Sequence, residues 1–277
     1  CAAVERIMDE VSEELQSSDF EPLAFELAFG ADGQLPAITI REENGTARVV
    51  GKVDRVDGWL HDGKLYLRVV DYKTGKKSFD LAELRYGLGL QMLLYLFTLK
   101  EEGQMLFGGH EIVPAGVLYT PAREPMLRCA RDTEPEKIEK ALKKELRRSG
   151  MVLEDPAVLQ AMEHSAIESP CYLPIAVKRD GAVTGSLASA EQLGKLSKYV
   201  DHILHEITQE VFAGNIDADP YARTPQQSAC TYCEFASACH FENGCGSDRM
   251  EYIKATKNDE FWQYIDEVNG EGAHENG

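Results

Sequence analysis

Two strand-like stretches joined by a short turn constrain the fold of this chain more than any other sequence feature. Residues 48–57 and 64–73 are rich in Val, Leu and Tyr, a composition that favours β-strands. The turn between them contains His61-Asp62-Gly63, and Asp and Gly are typical of chain reversals. The two stretches are therefore predicted to form an antiparallel hairpin.

Acidic and basic side chains are predicted to meet at one end of this hairpin. Because side chains alternate along a strand, Asp71 and Lys73 share a face, and the neighbouring strand can place Asp54 opposite them. Mg²⁺ prefers oxygen ligands and keeps several waters, so one or two carboxylates and a backbone carbonyl, here that of Tyr72, would suffice. A lysine beside the metal would orient or help to deprotonate the attacking water and would offset negative charge in the transition state. The pattern predicts a magnesium site for phosphodiester cleavage.

The first carboxylate of this site could be either of two residues on the first strand. Asp54 is preferred over Asp57 because Gly51, three residues before Asp54, leaves room for a close approach of the backbone. An ordinary strand end with a solvated ion pair is the competing interpretation of Asp71. Against it, two valines run directly into Asp71, at a position where an apolar residue would cost less.

A long apolar helix is predicted after the hairpin, over residues 80–101. Asp80 is a suitable N-cap, and the helix is too short and too interrupted to span a membrane. Gln91 and Tyr95 are four residues apart, so they lie on one face of the helix. A glutamine within an apolar stretch needs a polar partner, which either the metal site or a backbone group could provide.

Three motifs together resemble the RecB-like branch of the PD-(D/E)xK nuclease superfamily. They are Gly51-x-x-Asp54, Asp71-x-Lys73 and Gln91-x-x-x-Tyr95, in that order along the chain. Longer segments resemble the C-terminal nuclease domain of the AddB family of helicase–nuclease subunits, over roughly residues 20–245. These segments are Phe25–Gly30, Gly51–Asp57, Tyr86–Tyr95 and Gly150–Pro156.

The resemblance implies a metal-dependent DNA exonuclease domain that acts on DNA ends and single strands in double-strand-break repair by recombination. Mg²⁺ or Mn²⁺ would bind at Asp54 and Asp71, Lys73 would be catalytic, and Gln91 with Tyr95 would support the site and the DNA. An AddA-like helicase–nuclease subunit is the implied partner. The upstream histidine of the family's metal site has no counterpart here. The N-terminal part of the full domain is therefore expected to lie outside this chain, and the activity of the chain alone is in question.

The cysteines suggest a second site. Cys230, Cys233 and Cys239 follow a C-x₂-C-x₅-C spacing that suits an iron–sulfur cluster or Zn²⁺, and a redox pair would lack its usual βαβ context. The resemblance implies a [4Fe–4S] cluster whose fourth cysteine lies far upstream, outside this chain. Cys1 is too near the first strand for that role, and Cys245 is a local alternative. Seven cysteines without a signal peptide favour a reducing, cytoplasmic location.

The charge of the chain argues against strong DNA binding by this domain alone. The formal net charge is −18, whereas phosphate contacts carry much of the affinity of DNA-binding proteins. Residues 48–85 nevertheless contain nine Lys or Arg against six Asp or Glu. The predicted DNA contacts are Lys52, Arg55, Lys76, Lys77 and Arg85. A basic helix face, more typical of solvated surface than of a DNA contact, is predicted at Lys143, Lys144, Arg147 and Arg148.

The predicted fold is α/β and restriction-endonuclease-like. A central mixed sheet carries the site and is flanked by helices near residues 2–17, 80–101, 135–149 and 189–212. The nuclease domain is predicted at 1–215 and a cysteine-rich module at 216–245. Residues 246–277 contain eight acidic against three basic residues and are predicted to form a solvated or disordered tail.

Two rival functions remain open. One is a stand-alone Cas4-like nuclease, against which the longer AddB-like segments count. The other is a DNA-end-binding or structural module that does not cut DNA, which the missing histidine and the incomplete cysteine set favour. ATP hydrolysis is not expected from this chain, because Gly75-Lys-Lys-Ser lacks the first glycine of a phosphate-binding loop.

Overall fold

The fold is known from a computed structural model, which describes residues 2–130 and 132–275. Helices and strands are interspersed along the chain, with five consecutive strands after the first helix. The helices are α1 Ala2–Gln16, α2 Leu81–Arg85, α3 Gln91–Glu102, α4 Pro135–Glu145, α5 Pro156–Met162, α6 Ala190–Ala213, α7 Ala236–Cys239 and α8 Asn258–Glu275. The strands are β1 Glu21–Phe29, β2 Ile38–Glu42, β3 Gly45–Val49, β4 Gly51–His61, β5 Lys64–Lys73, β6 Glu111–Pro121, β7 Ser149–Leu153, β8 Ile175–Val177, β9 Val183–Gly185, β10 Leu187–Ala188, β11 Tyr221–Thr224, β12 Gln227–Ser228 and β13 Glu251–Tyr252.

A mixed six-stranded sheet forms the centre of the fold, in the order β1-β4-β5-β6-β7-β10. The pairs β1–β4, β4–β5 and β6–β7 are antiparallel, and β5–β6 and β7–β10 are parallel. The parallel pair β5–β6 is connected through helices, as a parallel crossover requires. The prediction of an α/β fold with a central mixed sheet is confirmed.

The predicted hairpin is formed by β4 and β5. Its pairing runs from His61 opposite Lys64 to Arg55 opposite Val70. The two turn residues between the strands, Asp62 and Gly63, have φ values of 50° and 77°. Positive φ at both central positions matches the right-handed twist of the flanking strands, and Asp-Gly tolerates it.

The core lies on the inner strands of this sheet. Val56, Leu67 and Val69 have 0% relative exposure, and α3 packs on β5 and β6 with Leu93 and Leu96 equally buried. Burial of these strands explains the valines and leucines that run through β4, β5 and β6. A charged residue here requires a partner or a function.

The long helix predicted at 80–101 is wrong in one respect, because two helices replace it. Helix α2 begins after Asp80, whose side chain accepts a hydrogen bond from the Ala82 amide at 2.8 Å, so the predicted N-cap is confirmed. The helical conformation is interrupted between α2 and α3, where Gly87 and Gly89 both have φ of 70°. An α-helix cannot continue through residues in the left-handed region.

The other helix predictions differ in accuracy. The predictions at 2–17 and 189–212 agree with α1 and α6 to within a residue at each end. Helix α4 ends at Glu145, so the basic helix face predicted to include Arg147 and Arg148 is wrong. Arg148 instead has 3% relative exposure and is a buried residue before β7.

The described residues divide into two compact units. The first contains the described part of Cys1–Thr39 with Arg48–Phe79 and Gln91–Ser197, and the second contains Ile40–Ala47, Asp80–Leu90 and the described part of Lys198–Gly277. The second unit includes β13 and α8, where Phe261 and Ile265 have 0% relative exposure. Helix α8 is therefore not a disordered tail where Phe261 and Ile265 are buried, whereas the boundary of the predicted tail at 246 stays a prediction, and residues 276–277 lie outside the described part. No described helix is long and apolar enough to cross a membrane.

Candidate active site

The hairpin brings two predicted site carboxylates together at one end. The pairing of Arg55 with Val70 makes Asp54 and Asp71 neighbours across β4 and β5. Oδ2 of Asp54 accepts a hydrogen bond from the Tyr72 amide at 2.9 Å, which fixes this carboxylate against β5. The first sequence motif and the second motif thus meet, although they are separated by a turn and two strands.

Lys73 completes this group of side chains. Its Nζ lies 2.6 Å from Oδ2 of Asp71 and 5.8 Å from the centre of the Tyr119 ring. The side chain of Asp71 is 13% exposed, and that of Lys73 is 36% exposed. The lysine can therefore contact a ligand in solution while it remains beside the carboxylate.

The oxygen donors at this position suit a hard divalent cation. Oδ2 of Asp71 is buried and lies 2.6 Å from the Lys73 ammonium, which is its cationic partner in this structure. A buried carboxylate oxygen that attracts one cation also suits a metal ion. Mg²⁺ requires only one or two carboxylates because water and substrate supply the remaining ligands. The donor set of Asp54 and Asp71 therefore fits such an ion, with the Tyr72 carbonyl as the predicted third protein ligand.

Gln91 and Tyr95 are connected to one another at the start of α3. Nε2 of Gln91 donates to the Tyr95 hydroxyl at 3.0 Å. Tyr95 is buried and stacks on Phe29, with ring centroids 5.4 Å apart. A Cβ at Gly51 would lie 2.9 Å from Cε1 of Tyr95, so Gly51 does provide the close approach expected of it. Gln91 is exposed rather than enclosed by apolar residues.

Asp57, the alternative to Asp54, has a different environment. It is fully buried and lies between two arginines, with Oδ2 accepting from Arg55 at 3.0 Å and from Arg68 at 2.8 Å. Alternation along β4 turns Asp57 and Arg55 to the face opposite Asp54. These contacts leave Asp54 as the carboxylate next to Asp71.

Arg55 is a correction to the predicted DNA contacts. Its side chain has 1% relative exposure and donates to the Tyr72 hydroxyl at 2.6 Å as well as to Asp57. A DNA strand cannot reach a guanidinium that is enclosed in this way. Burial raises the pKa of the Tyr72 hydroxyl above its ordinary value, and the attraction of Arg55 offsets only part of this increase. Arg55 therefore holds the strand that carries Asp71 and Lys73 rather than the substrate.

Sequence reasoning missed the rest of this buried charge network. Glu14 of α1 accepts from Arg148 at 2.6 Å and lies 3.5 Å from Arg68. Burial raises the pKa of Glu14, but the attraction of Arg148, Arg68 and Arg55 outweighs burial, so the net pKa is lowered. The sequence signal was the presence of Arg55, Asp57 and Arg68 within otherwise apolar strands.

The remaining predicted DNA contacts are at separate places. Lys52 is exposed and forms an ion pair with Glu26, and Lys77 is exposed. Lys76 is 75% exposed and its Nζ lies 2.6 Å from Glu145. In the second unit, the Arg85 guanidinium lies 4.7 Å from the centre of the Tyr264 ring. Their roles in DNA binding stay predictions.

The cysteine cluster lies in the second unit. Cys230 is half-buried, Cys233, Cys239 and Cys245 are exposed, and all four are free thiols. Among residues 2–130 and 132–275, no three His, Cys, Asp or Glu side chains are grouped closely enough to hold a metal ion. The thiols as placed here therefore do not form a ready site for an iron–sulfur cluster. Cys1 lies outside the described residues.

Comparison with known proteins agrees with the geometry. Residues 1–240 match the family model for the PD-(D/E)XK nuclease superfamily. The chain is also similar to proteins named as the B subunit of an ATP-dependent helicase/deoxyribonuclease. It is 32% identical to that of Ruminiclostridium cellulolyticum over 93% of this chain, and 34% identical to that of Acetivibrio thermocellus over 92%. The protein of Thermoanaerobacter sp. (strain X514) is 32% identical over 95% of this chain. The chain spans only 22–23% of the length of these relatives.

Proposed function

Because the chain belongs to the PD-(D/E)XK nuclease superfamily, we propose that it hydrolyses DNA phosphodiester bonds at Asp54, Asp71 and Lys73 with a divalent metal ion. The observation that carries this proposal is the convergence of the two carboxylates and the lysine across β4 and β5. Asp54 and Asp71 would hold Mg²⁺ or Mn²⁺, which would activate water and polarise the phosphate. Tyr72 would contribute its backbone carbonyl.

Lys73 is the residue that acts on the reacting groups. Its Nζ is partly exposed beside Asp71, so it can reach a water or a phosphate oxygen at the carboxylates. There it would orient the attacking water and offset the charge that develops on the phosphate oxygens. Asp71 keeps this ammonium in place before substrate binds.

Gln91 and Tyr95 are positioning residues in this proposal. The hydrogen bond between them orients the exposed Gln91 amide at the start of α3. Because Gly51 contacts the Tyr95 ring, the same tyrosine also fixes the beginning of β4. We therefore propose that the third motif sets the position of Asp54 and contacts the DNA strand through Gln91.

The wider role follows from the names of the relatives. These proteins are called helicase/deoxyribonuclease subunits, and this chain corresponds to about a fifth of their length. We propose that the chain supplies the deoxyribonuclease part, acts as an exonuclease on DNA ends, and works with an AddA-like subunit in double-strand-break repair. ATP-driven unwinding would belong to other parts of the complex.

The proposed cluster at Cys230, Cys233 and Cys239 needs more than this chain offers. A [4Fe–4S] cluster requires four ligands, and the thiols are not gathered in this structure. The proposal therefore requires a rearrangement of the segment and a fourth thiolate, either that of Cys245 or one from a cysteine outside this chain. Iron and sulfide analysis after anaerobic purification of a longer protein tests it, and zinc without iron would contradict it.

The nuclease proposal is tested by two pairs of variants, one at each end of the paired strands β5 and β6. Asp71→Asn and Lys73→Gln alter the site, whereas Glu111→Gln and Lys64→Gln alter a separate exposed ion pair of 3.0 Å. Cleavage of single-stranded DNA with Mg²⁺ or Mn²⁺ is expected to fall about 10²-fold or more in the first pair. It should be unchanged in the second pair.

Two results would contradict the proposal. Cleavage that survives both Asp71→Asn and Lys73→Gln would show that the activity lies elsewhere. The non-cutting DNA-end-binding module would be favoured if the chain binds DNA without metal and cleaves none, and if a version extended at its N-terminus also cleaves none.

A further inference from the structure

A cavity of about 360 Å³ opens at the ends of the parallel strands β5 and β6, and we name it the basic pocket. Its described lining contains five cationic side chains and one carboxylate. These are Lys73, Lys76, Lys77, Arg123 and Arg147, with Glu145 as the acid. In a chain whose net charge is −18, this is a local excess of positive charge. Such a concave cationic surface favours binding of an anion.

The basic pocket adjoins the candidate active site through Lys73. This lysine contacts Asp71 on one side and lines the pocket on the other. The parallel pairing of Lys73 with Pro121 brings the chain after β6 to the same edge. A phosphodiester chain bound at the carboxylates would therefore place a neighbouring phosphate at this pocket.

Polar groups in the pocket are fixed in position but incompletely used. Oγ of Ser149 accepts a hydrogen bond from the Phe79 amide at 2.7 Å, which leaves its hydroxyl proton to donate. Nε of Arg123 is buried and has no hydrogen-bond partner among the described residues. Arg147 donates to the carbonyls of Pro170, Cys171 and Ile175, the last two at 3.4 and 3.1 Å, so neutral backbone groups hold its guanidinium in place.

Glu145 forms ion pairs with two of the five cations of the pocket in this structure. Its Oε1 lies 2.6 Å from Nζ of Lys76 and accepts from Arg123 at 3.0 Å. Hydrogen bonds from Lys76 and Arg123 hold the pKa of Glu145 below its ordinary value, so it is ionised at neutral pH. A phosphate offers more acceptor oxygens than this one carboxylate and can replace it.

We propose that the basic pocket binds a phosphate of the DNA strand adjacent to the phosphodiester being cleaved, and that Glu145 is the counter-ion which this phosphate displaces. The inference rests on the proposed nuclease function and adds Arg123, Arg147 and Ser149 to the DNA-binding surface. It assigns Glu145 an inhibitory effect on binding. Removing the acid should therefore strengthen binding, whereas removing its lysine partner should weaken it.

Helix α4 offers a matched control for this test. Lys143 and Glu139 form an exposed ion pair of 3.3 Å on the same helix as Glu145, and neither lines the pocket. Lys76→Gln and Lys143→Gln remove the same charge, and so do Glu145→Gln and Glu139→Gln. Any difference within these couples therefore reports the pocket rather than the net charge.

Binding is measured by fluorescence anisotropy of a labelled oligothymidylate, with Ca²⁺ replacing Mg²⁺, over a series of salt concentrations. Lys76→Gln is expected to weaken binding about five- to tenfold and to reduce the salt slope by about one. Glu145→Gln should tighten binding about fivefold, because two cations are released to the phosphate. Both α4 controls should match the unaltered chain. A methylphosphonate oligonucleotide, which lacks the charge, should abolish these differences.

The outcomes separate this inference from the nuclease proposal. The proposed role of the basic pocket is contradicted if Lys76→Gln and Lys143→Gln weaken DNA binding equally. It is also contradicted if Glu145→Gln does not tighten DNA binding more than Glu139→Gln does. Failure of the unaltered chain to bind the oligothymidylate at low salt also overturns it. If the binding differences appear but metal-dependent cleavage is absent, the pocket stands and the proposed function fails.

Discussion

Individual side chains of β4 and β5 carry two separate arrangements of charge on opposite faces of the hairpin. Asp54 and Asp71 face the partly exposed Lys73, whereas Arg55 and Asp57 are enclosed in the network that reaches Glu14. The separation follows from the two-residue period of a strand. The buried charges of Arg55 and Asp57 therefore stabilise the fold, whereas Asp54, Asp71 and Lys73 are placed where substrate can bind.

Replacing Glu14 by Gln tests the buried network through its pH dependence. Without the carboxylate, Arg148 and Arg68 lose a buried partner, and the free energy of unfolding at pH 7 should fall by about 3–5 kcal/mol. The pKa of Glu14 is below its ordinary value of 4.5 in the folded chain. Its stabilisation is therefore complete above pH 4.5 and is lost as the pH falls through the lower, folded pKa.

Urea unfolding from pH 7 to pH 3 provides the measurement for Glu14. The difference in free energy of unfolding between the unaltered chain and Glu14→Gln should become smaller towards pH 3. Glu5→Gln, an exposed position on the same helix, should show no comparable loss. A constant difference across the whole range would contradict the assigned role of Glu14.

Gly51→Ala tests the contact between the first and third motifs. The new methyl group would meet the Tyr95 ring, with Cε1 only 2.9 Å away, and should cost about 1–3 kcal/mol of stability. Cleavage should also decrease because β4 carries Asp54. Gly194→Ala serves as the control, since a Cβ there has open space within α6 and should stabilise by about 0.5–1 kcal/mol. Equal stability of both variants in urea unfolding would exclude the contact.

Among the elements, the break between α2 and α3 decides where the third motif begins. Gln91 is the first residue of α3 because Gly87 and Gly89 end the preceding helical path. At this first position of α3 the Gln91 side chain is exposed, and its amide donates to the Tyr95 hydroxyl at 3.0 Å.

Gly89→Ala tests the requirement for this break. Its φ is 70°, and the nearest atom to the added methyl group would be Oε2 of Glu83 at 3.7 Å, so backbone strain is the main effect. The expected loss of stability is about 1–2 kcal/mol. Gly89→Asn should cost less, because Asn tolerates the left-handed region. Gly270→Ala in α8 has open space and ordinary φ, and should not destabilise the chain. A stabilising effect of Gly89→Ala in thermal unfolding would contradict the break.

For the molecule as a whole, folded structure continues well beyond the cysteine segment. The acidic composition of residues 246–277 indicated a tail, yet α8 buries Phe261 and Ile265 in the second unit. Composition averages over a segment, whereas a few well-spaced apolar residues are enough to dock a helix. The predicted domain boundary at 215 stays a prediction, although the second unit already includes Lys198 to Ala213.

Phe261→Ala tests whether this last helix is part of the fold. A fully buried phenylalanine should cost about 3–5 kcal/mol when truncated to alanine. Phe235→Ala removes the same atoms from a side chain that is 74% exposed, and should change stability by less than about 0.5 kcal/mol. Urea unfolding of both variants measures the contrast. A negligible effect of Phe261→Ala would restore the tail interpretation.

Local patterns in the sequence were sufficient for the hairpin, the α/β class and the meeting of Asp54 with Asp71 across it. Alternation predicted which side of β5 carries Asp71 and Lys73, and four-residue spacing predicted that Gln91 and Tyr95 share a face of α3, although the hydrogen bond between them was not predicted. These predictions succeed because periodicity acts over a few residues of one chain segment. The same reasoning did not identify the break at Gly87 and Gly89, since an isolated glycine does not reveal its φ.

The tertiary structure decided which charges are buried and which meet one another. Arg55 was predicted to contact DNA, but Asp57 and Tyr72 enclose it. Glu145 meets Lys76 in the basic pocket although the two residues are far apart in sequence. The physical reason is that burial and ion pairing depend on which distant segments pack together, and strand alternation or residue spacing carries no information about that choice.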